Sequence, residues 1–230
     1  FRLACGRLMR GYARIFSAVL VAAFFVLHTA AAPAAPGFSA TVRQCIDGDT
    51  VVLDTGQRVR LAGVDTPEKG SKGTPPQYYA REAQRFTAER TQGREVRVLP
   101  LSGASTDRYK RLVAELVLPS GESLNERLLR EGMGSFYAHK DLPAQLVNRL
   151  TAAQKEALDT RAGCWKHVLS LPEAHAVYVG NRNSKRFFSL GCLRDARVTK
   201  RNQVRFANLE AAFRAGYAPA RPCGIWPGAE

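Results

Sequence analysis

FSATVRQCIDGDTVVLDTGQRVRLAGVDTPE, residues 38–68, alternates short runs rich in Val, Leu, Thr and Arg with Asp-Gly and Thr-Gly turn signals. Segments 39–45, 50–54 and 58–64 read as three strands of an antiparallel meander. In such a meander the start of the second strand and the end of the third lie at the same edge of the sheet. Two acidic clusters fall there, Asp47-Gly48-Asp49-Thr50 and Asp65-Thr66-Pro67-Glu68. Each alone is ordinary turn chemistry. Together they bring Asp49 and Asp65 within reach of one hard cation, which needs several oxygens at about 2.3–2.6 Å.

Outward from this stretch, residues 69–76 are rich in Gly, Pro and Lys and read as a loop. Residues 77–92 place Tyr79, Ala83 and Phe86 at helical spacing, with Pro75 and Pro76 where a first turn tolerates proline. Strand character returns at 95–99 and 113–118, around a polar loop containing Thr106-Asp107-Arg108-Tyr109-Lys110-Arg111. A short helix is expected over 123–131, with Ser123 as N-cap, Glu126 completing a capping box and Gly132 as terminator. A longer one over 143–161 carries Leu146, Val147, Leu150, Ala153, Ala157 and Leu158 and ends at Gly163. The pattern specifies an α+β fold: a five-stranded Greek-key β-barrel of the oligonucleotide/oligosaccharide-binding (OB) type with about three helices, plus a small C-terminal module. A fold of this kind does not fix a function.

The net charge of +14 over 230 residues fits a polyanionic partner, or a basic surface kept for solubility. Arg2, Arg7, Arg10 and Arg14 precede an apolar run over 15–27, and small residues follow, a pattern that describes a secretory signal peptide in residues 1–36. An uncleaved N-terminal anchor is the alternative. Because the chain begins with Phe, Met9 is a candidate start. Without residues 1–36 the chain keeps 30 basic against 20 acidic residues, so the basic character is not a property of the leader. The expected location is exported, periplasmic or secreted. Cys5 leaves with the leader; Cys45, Cys164, Cys192 and Cys223 remain, suited to disulfides, with three pairings open.

Arg60 lies five residues before Asp65 on the same strand, and Arg111 closes the polar loop. A guanidinium presents a planar fork suited to phosphate, and two of them beside a divalent ion can neutralise a five-coordinate phosphorus. His139, His167 and His175 follow no triad pattern, and no Gly-rich phosphate loop is present. Ile46-Asp47-Gly48-Asp49-Thr50-Val51, then Val59-Arg60-Leu61-Ala62-Gly63-Val64-Asp65-Thr66-Pro67-Glu68, then Thr106-Asp107-Arg108-Tyr109-Lys110-Arg111 resemble the three signature segments of the staphylococcal nuclease (thermonuclease) family, in order. The likeness continues through 124–132 and closes at Trp165, giving a catalytic domain over 37–170.

The resemblance implies a calcium-dependent hydrolase cutting phosphodiester bonds of DNA and/or RNA. Asp49 and Asp65 would bind Ca²⁺, with the carbonyl of Thr66 as a further ligand. Arg60 and Arg111 would hold the transition state, and Glu68 would orient or deprotonate the attacking water. Arg108 and Tyr109 match positions that contact a terminal phosphate, and Tyr137 matches the base-binding wall. Lys110 departs from the glycine usual in that loop. The competing reading is a non-catalytic OB-type module that binds single strands through basic grooves and aromatics.

Residues 173–230, with ten basic and four acidic residues, read as a small second module. They are similar to the Ada-type metal-binding modules appended to some bacterial nucleases. With only Cys192 and Cys223 as candidate ligands, and Phe188 where a histidine is expected, a zinc site is not expected. No protein partner is predicted. In the resemblance Trp165 packs the chain end back on the barrel. The expected bridges are therefore Cys45–Cys164, across the catalytic domain, and Cys192–Cys223, within the tail.

Overall fold

The computed structural model describes residues 37–228 except 72, 102–105 and 194–196. The expected leader lies outside the described residues. Among the described residues no helix is long and apolar enough to cross a membrane.

Strand β1 (Phe38–Asp47) is long enough to serve two neighbours. Its first half pairs antiparallel with β5 (Glu95–Pro100), through Phe38 to Val98 and Thr41 to Glu95. Its second half pairs with β2 (Thr50–Leu53), with register shifts between Val42 and Gln44 and between Cys45 and Asp47. Such irregularities bend a strand and increase its twist, which lets one strand turn the corner of a closed sheet. β2 pairs with β3 (Arg58–Leu61), β3 pairs in parallel with β6 (Leu112–Val117), and β6 pairs with β5. The result is a closed barrel in the order β1-β2-β3-β6-β5, the OB-type α+β fold expected. Val42, Leu53, Val59, Leu61, Val98 and Leu116 fill it, all buried.

The third expected strand is divided. Gly63, at φ 71°, breaks it into β3 and β4 (Val64–Asp65), and a Cβ at this position would collide with Leu150. β4 pairs with a two-residue strand, β7 (Ser135–Phe136), too short to carry a periodicity of its own. Helix α1 (Ala80–Thr91) starts three residues later than its spacing predicts. The N–H groups of Gln77 and Tyr78 donate to the carbonyls of Glu68 and Pro227, at 2.9 Å each, and are committed outside the helix. Helix α2 (Leu124–Arg130) has Ser123 as its cap, accepting from Glu126 N. The Glu126 carboxylate instead forms ion pairs with Arg149 and Arg130. Asn125 of α2 is fully buried; its Nδ2 donates to Ala62 O at 2.8 Å and its Oδ1 accepts from Leu116 N at 3.0 Å. That side chain braces the helix against β6 and the β3–β4 turn. Helix α3 (Ala144–Thr160) lies against α2, and α4 (Trp165–Val168) follows it.

The C-terminal residues form a four-stranded sheet in the order β10-β8-β9-β11, from β8 (Tyr178–Asn181), β9 (Arg186–Ser189), β10 (Gln203–Phe206) and β11 (Ala218–Pro219). Two short helices, α5 (Leu190–Leu193) and α6 (Leu209–Arg214), accompany it. A second apolar core joins this sheet to the preceding helices: Leu158, Trp165 and Val168 pack with Tyr178, Phe187, Phe206 and Phe213. Trp165 meets Phe213 edge-on at 4.7 Å between ring centres, and Phe213 meets Phe187 at 5.1 Å.

Cys192 and Cys223 form a disulfide across 31 residues, so their sulfurs are not available as metal thiolates. The expected Cys45–Cys164 bridge is corrected: both are free, buried thiols. Cys45 lies against α1, its Sγ donating to Asp47 O at 3.0 Å and Gln84 O at 3.5 Å. Cys164 belongs to the second core. Burial, with Asp47 and Asp49 nearby, pushes the Cys45 thiol up to about 12, and burial alone raises Cys164. Thiols of this kind are inert in the folded state. Alkylation at neutral pH should leave both unlabelled in the native protein. Unfolding without reductant should label Cys45 and Cys164 but not Cys192 or Cys223, as read by peptide mass spectrometry.

Candidate active site

The Asp47-Gly48-Asp49 turn is clamped from behind by α1. Thr87 Oγ1 donates to Gly48 O at 2.6 Å and Gln84 Nε2 to Ile46 O at 2.9 Å. A Cβ at Gly48 would come within 2.8 Å of Ala83 and Thr66, so the close approach of turn to helix requires glycine. Asp49 is thereby fixed at the barrel mouth, 7% exposed at its side chain. Its Oδ2 accepts from Thr66 N at 3.0 Å, and its Oδ1 from Thr50 Oγ1 at 3.0 Å.

Arg60 enters from β3. Its Nη1 forms an ion pair with Asp49 Oδ2 and its Nη2 with Asp65 Oδ1 at 2.8 Å, with the guanidinium side chain 10% exposed. Burial alone would lower its pKa. Asp49, Asp65 and Asp47 outweigh burial, and the net direction is up. Asp47, for which the motif alone assigns no role, is pushed from 3.8 to about 7, first by burial and then by repulsion from Asp49.

Arg111 is held by Asp107. The Asp107 Oδ2 accepts from Arg111 Nε at 2.9 Å, and its Oδ1 from the N–H groups of Tyr109 and Arg111 at 2.9 and 3.0 Å. Burial works to raise the Asp107 carboxyl, but these hydrogen bonds hold it below its ordinary range. Arg111 Nη1 reaches Thr50 Oγ1 at 3.1 Å, next to Asp49. Lys110 adopts φ 60°, the conformation that glycine adopts without strain, so the loop keeps its shape with a lysine there. Arg108 lies over the exposed Tyr109 ring at 4.7 Å and donates to its hydroxyl at 2.7 Å. The Tyr137 ring is covered by the Arg186 guanidinium at 3.5 Å, and Tyr137 N donates to Gly63 O.

Asp49, Arg60, Glu68, Tyr109 and Arg111 all face one open cavity of about 280 Å³. An adjoining cleft of about 540 Å³ runs from Arg60 and Arg111 past Arg108 and Tyr109 to Tyr137. Burial raises the Glu68 carboxyl, partly offset by a neighbour absent from every motif above: Arg221, whose Nη2 lies 3.2 Å from Glu68 Oε1 and 3.0 Å from Asp65 Oδ1. Asp107 carries a sequence signal, an acidic side chain positioned to bond its own loop backbone. Arg221 carries none, because 153 residues separate it from Glu68.

Among the described residues no group of three or more His, Cys, Asp or Glu side chains forms a ready metal cage. Asp49 and Asp65 converge on the Arg60 guanidinium, and the nearby donors, including the Thr66 carbonyl and Glu68, are oxygens. That donor chemistry suits a hard divalent ion whose remaining positions are filled by water or phosphate oxygens.

A family model described as staphylococcal nuclease homologue matches residues 58–167. The thermonuclease of Staphylococcus intermedius is 36% identical over 135 residues, covering 56% of this chain and 77% of that protein. The chain belongs to the staphylococcal nuclease family. The thermonuclease of Staphylococcus hyicus is 35% identical over 131 residues, 55% of this chain and 75% of that protein. The micrococcal nuclease of Shigella flexneri is 31% identical over 180 residues, 74% of this chain and 95% of its own length. Within this nuclease fold, the candidate site lies where β2, β3, β4 and the Asp107 loop meet.

The Asp47 shift predicts a pH dependence. A carboxyl whose folded pKa exceeds its unfolded one contributes stability present below the unfolded value and lost as pH rises through the folded value. Asp47→Asn removes that titration. In chelator, the stability of the variant relative to the unaltered protein should rise between pH 4 and pH 8, as measured by urea unfolding. A difference that does not change with pH would refute the shift.

Proposed function

We propose that this member of the nuclease family, a hydrolase of phosphodiester bonds, is a calcium-dependent nuclease of DNA and/or RNA acting in an exported setting. The observation that carries the reading is the convergence of Asp49, Arg60, Arg111 and Glu68 on one water-accessible cavity, with Asp65 ion-paired to Arg60 beside it. Asp49 and Asp65, with the Thr66 carbonyl, are the residues that would hold Ca²⁺, which when bound supplies Lewis-acid polarisation of a phosphoryl oxygen.

The chain's own residues carry the rest. Arg60 and Arg111 donate to the non-bridging oxygens of the scissile phosphate and strengthen those bonds as negative charge grows there. Glu68, its carboxyl raised by burial, orients the attacking water and accepts its proton. Water oxygen bonds to phosphorus, the bond to the leaving oxygen breaks, and that oxygen takes a proton from solvent water in the open cavity. Arg108 and Tyr109 bind a neighbouring phosphate, and Tyr137 lines the wall for a base. Asp107 positions Arg111 without touching substrate. A purely binding module has no use for a buried Arg60 shared by two carboxylates, and this arrangement favours catalysis over that reading.

The test uses the purified protein on end-labelled DNA and RNA, with Ca²⁺ and then with chelator. Cleavage is expected with calcium and should vanish on chelation; activity undiminished by chelator would overturn the metal assignment.

Arg111→Ala should lower turnover by about 10²–10³, the effect of removing one transition-state donor, with little change in thermal unfolding. Arg60→Ala is a poorer probe than the motif suggests, because it leaves the buried Asp49 without its ion-pair partner and costs about 3–5 kcal/mol of stability. A folded Arg111→Ala protein with unaltered turnover would place the chemistry elsewhere.

A further inference from the structure

Arg221 stands in the cleft but comes from the far end of the chain, on a segment fixed at several points. Before it, β11 pairs in parallel with β9, and Ala220 N donates to Phe187 O at 2.9 Å. After it, Cys223 is bonded to Cys192. Beyond that, Trp226 Nε1 donates to Tyr78 O at 3.0 Å, and Tyr78 N donates to Pro227 O at 2.9 Å. The last two contacts tie the segment to the residues between Glu68 and α1, the same stretch that positions the acidic edge of the site.

The guanidinium meets Asp65 and Glu68 through one nitrogen, Nη2. Among the described residues its Nε and Nη1 make no hydrogen bond or ion pair, and the side chain is 55% exposed. It borders both the 280 Å³ cavity and the 540 Å³ cleft, alongside Arg60 and Arg111. A guanidinium steadied through one nitrogen, half exposed and bordering the same cavity as two other arginines, is arranged for an anion. Asp65 also pairs with Arg60 at 2.8 Å, so Arg221 is the second of two arginines on that carboxylate.

We propose that Arg221 is a third phosphate-contacting arginine of this cleft, delivered by the C-terminal segment, so that residues 173–228 complete the nucleic-acid site. This rests on the nuclease reading above. Its free donors meet a phosphate oxygen of the bound strand, and the anchoring at Cys223 and Trp226 spares the complex the cost of ordering a loose tail.

The test compares the unaltered full chain with Arg221→Ala, Arg221→Lys and a control, Arg205→Ala, which removes one exposed charge on β10 outside both cavities. A short single-stranded oligonucleotide is titrated in chelator at several salt concentrations, and the same proteins are assayed for cleavage with calcium. Arg221→Ala should bind about tenfold more weakly, the scale of one hydrogen bond to a charged group. Its slope of log affinity against log salt should shrink by about 0.7, one phosphate contact on a single strand. Its kcat/KM should fall by a similar factor, Arg221→Lys should be intermediate, and Arg205→Ala should match the unaltered protein. Unchanged affinity and slope in Arg221→Ala, or the same loss in Arg205→Ala, would overturn the proposal while leaving the nuclease reading intact. A rise in kcat/KM in Arg221→Ala would also overturn it, by making Arg221 a latch on the carboxylates. If the unaltered protein neither binds nor cleaves, the nuclease reading itself falls, and the Arg221 proposal with it.

Discussion

A guanidinium taken out of water at the mouth of the barrel sets the terms for everything around it. Desolvating a charge costs several kcal/mol unless opposite charges and hydrogen bonds compensate. For Arg60 that compensation comes from two carboxylates on different elements, Asp49 beside β2 and Asp65 on β4. Bringing them together requires the chain to turn at Gly63, to pair β4 with β7, and to press the Asp47-Gly48-Asp49 turn onto α1 through Thr87 and Gln84. Burial first, and then the neighbouring Asp49 carboxylate, explain why Asp47 retains its proton to higher pH than an ordinary aspartate. The site is therefore a strained electrostatic balance held by the packing of the barrel, which suits chemistry on a highly charged phosphate.

The arginines around that balance differ in how they are held, and the difference sorts their roles. Arg60 is buried and ion-paired to Asp49 and Asp65, so it holds the two acidic segments together. Arg111 is half-buried and steered by Asp107, so its removal leaves a solvated carboxylate and little damage. Arg221 is exposed, and its backbone is pinned by a disulfide and by Trp226. Ile225 and Trp226 of the same segment pack against the second apolar core. Trp165, in α4, packs edge-on against Phe213 and Trp226, so the C-terminal residues share an apolar core with the helices that follow the barrel.

Much of this was legible along the chain. Five strands, their turns and three helices follow from alternation, helical spacing, Asp-Gly and Thr-Gly signals and the Ser123 cap, all local features that report on local backbone. Asp49, Arg60, Asp65, Glu68 and Arg111 stand in compact motifs, and their meeting at one edge follows from how a meander folds back. The local reading failed where a distant partner intervened. Gln77 and Tyr78 read as helical but donate to Glu68 and Pro227, and Cys45 read as a bridge partner but lies against α1.

What the residue order determined by itself was the barrel, its helices and the charged groups of its mouth, because turn chemistry, side-chain alternation and capping act over a few residues. The tertiary structure alone decided that Asp47 shares the field of Arg60, that Cys45 and Cys164 stay apart, and that Arg221 reaches Asp65 and Glu68. Each of these depends on contacts between segments tens to more than a hundred residues apart. No local propensity encodes such contacts; they arise only when apolar surfaces such as Trp165 and Phe213 find each other and carry the charged groups into place.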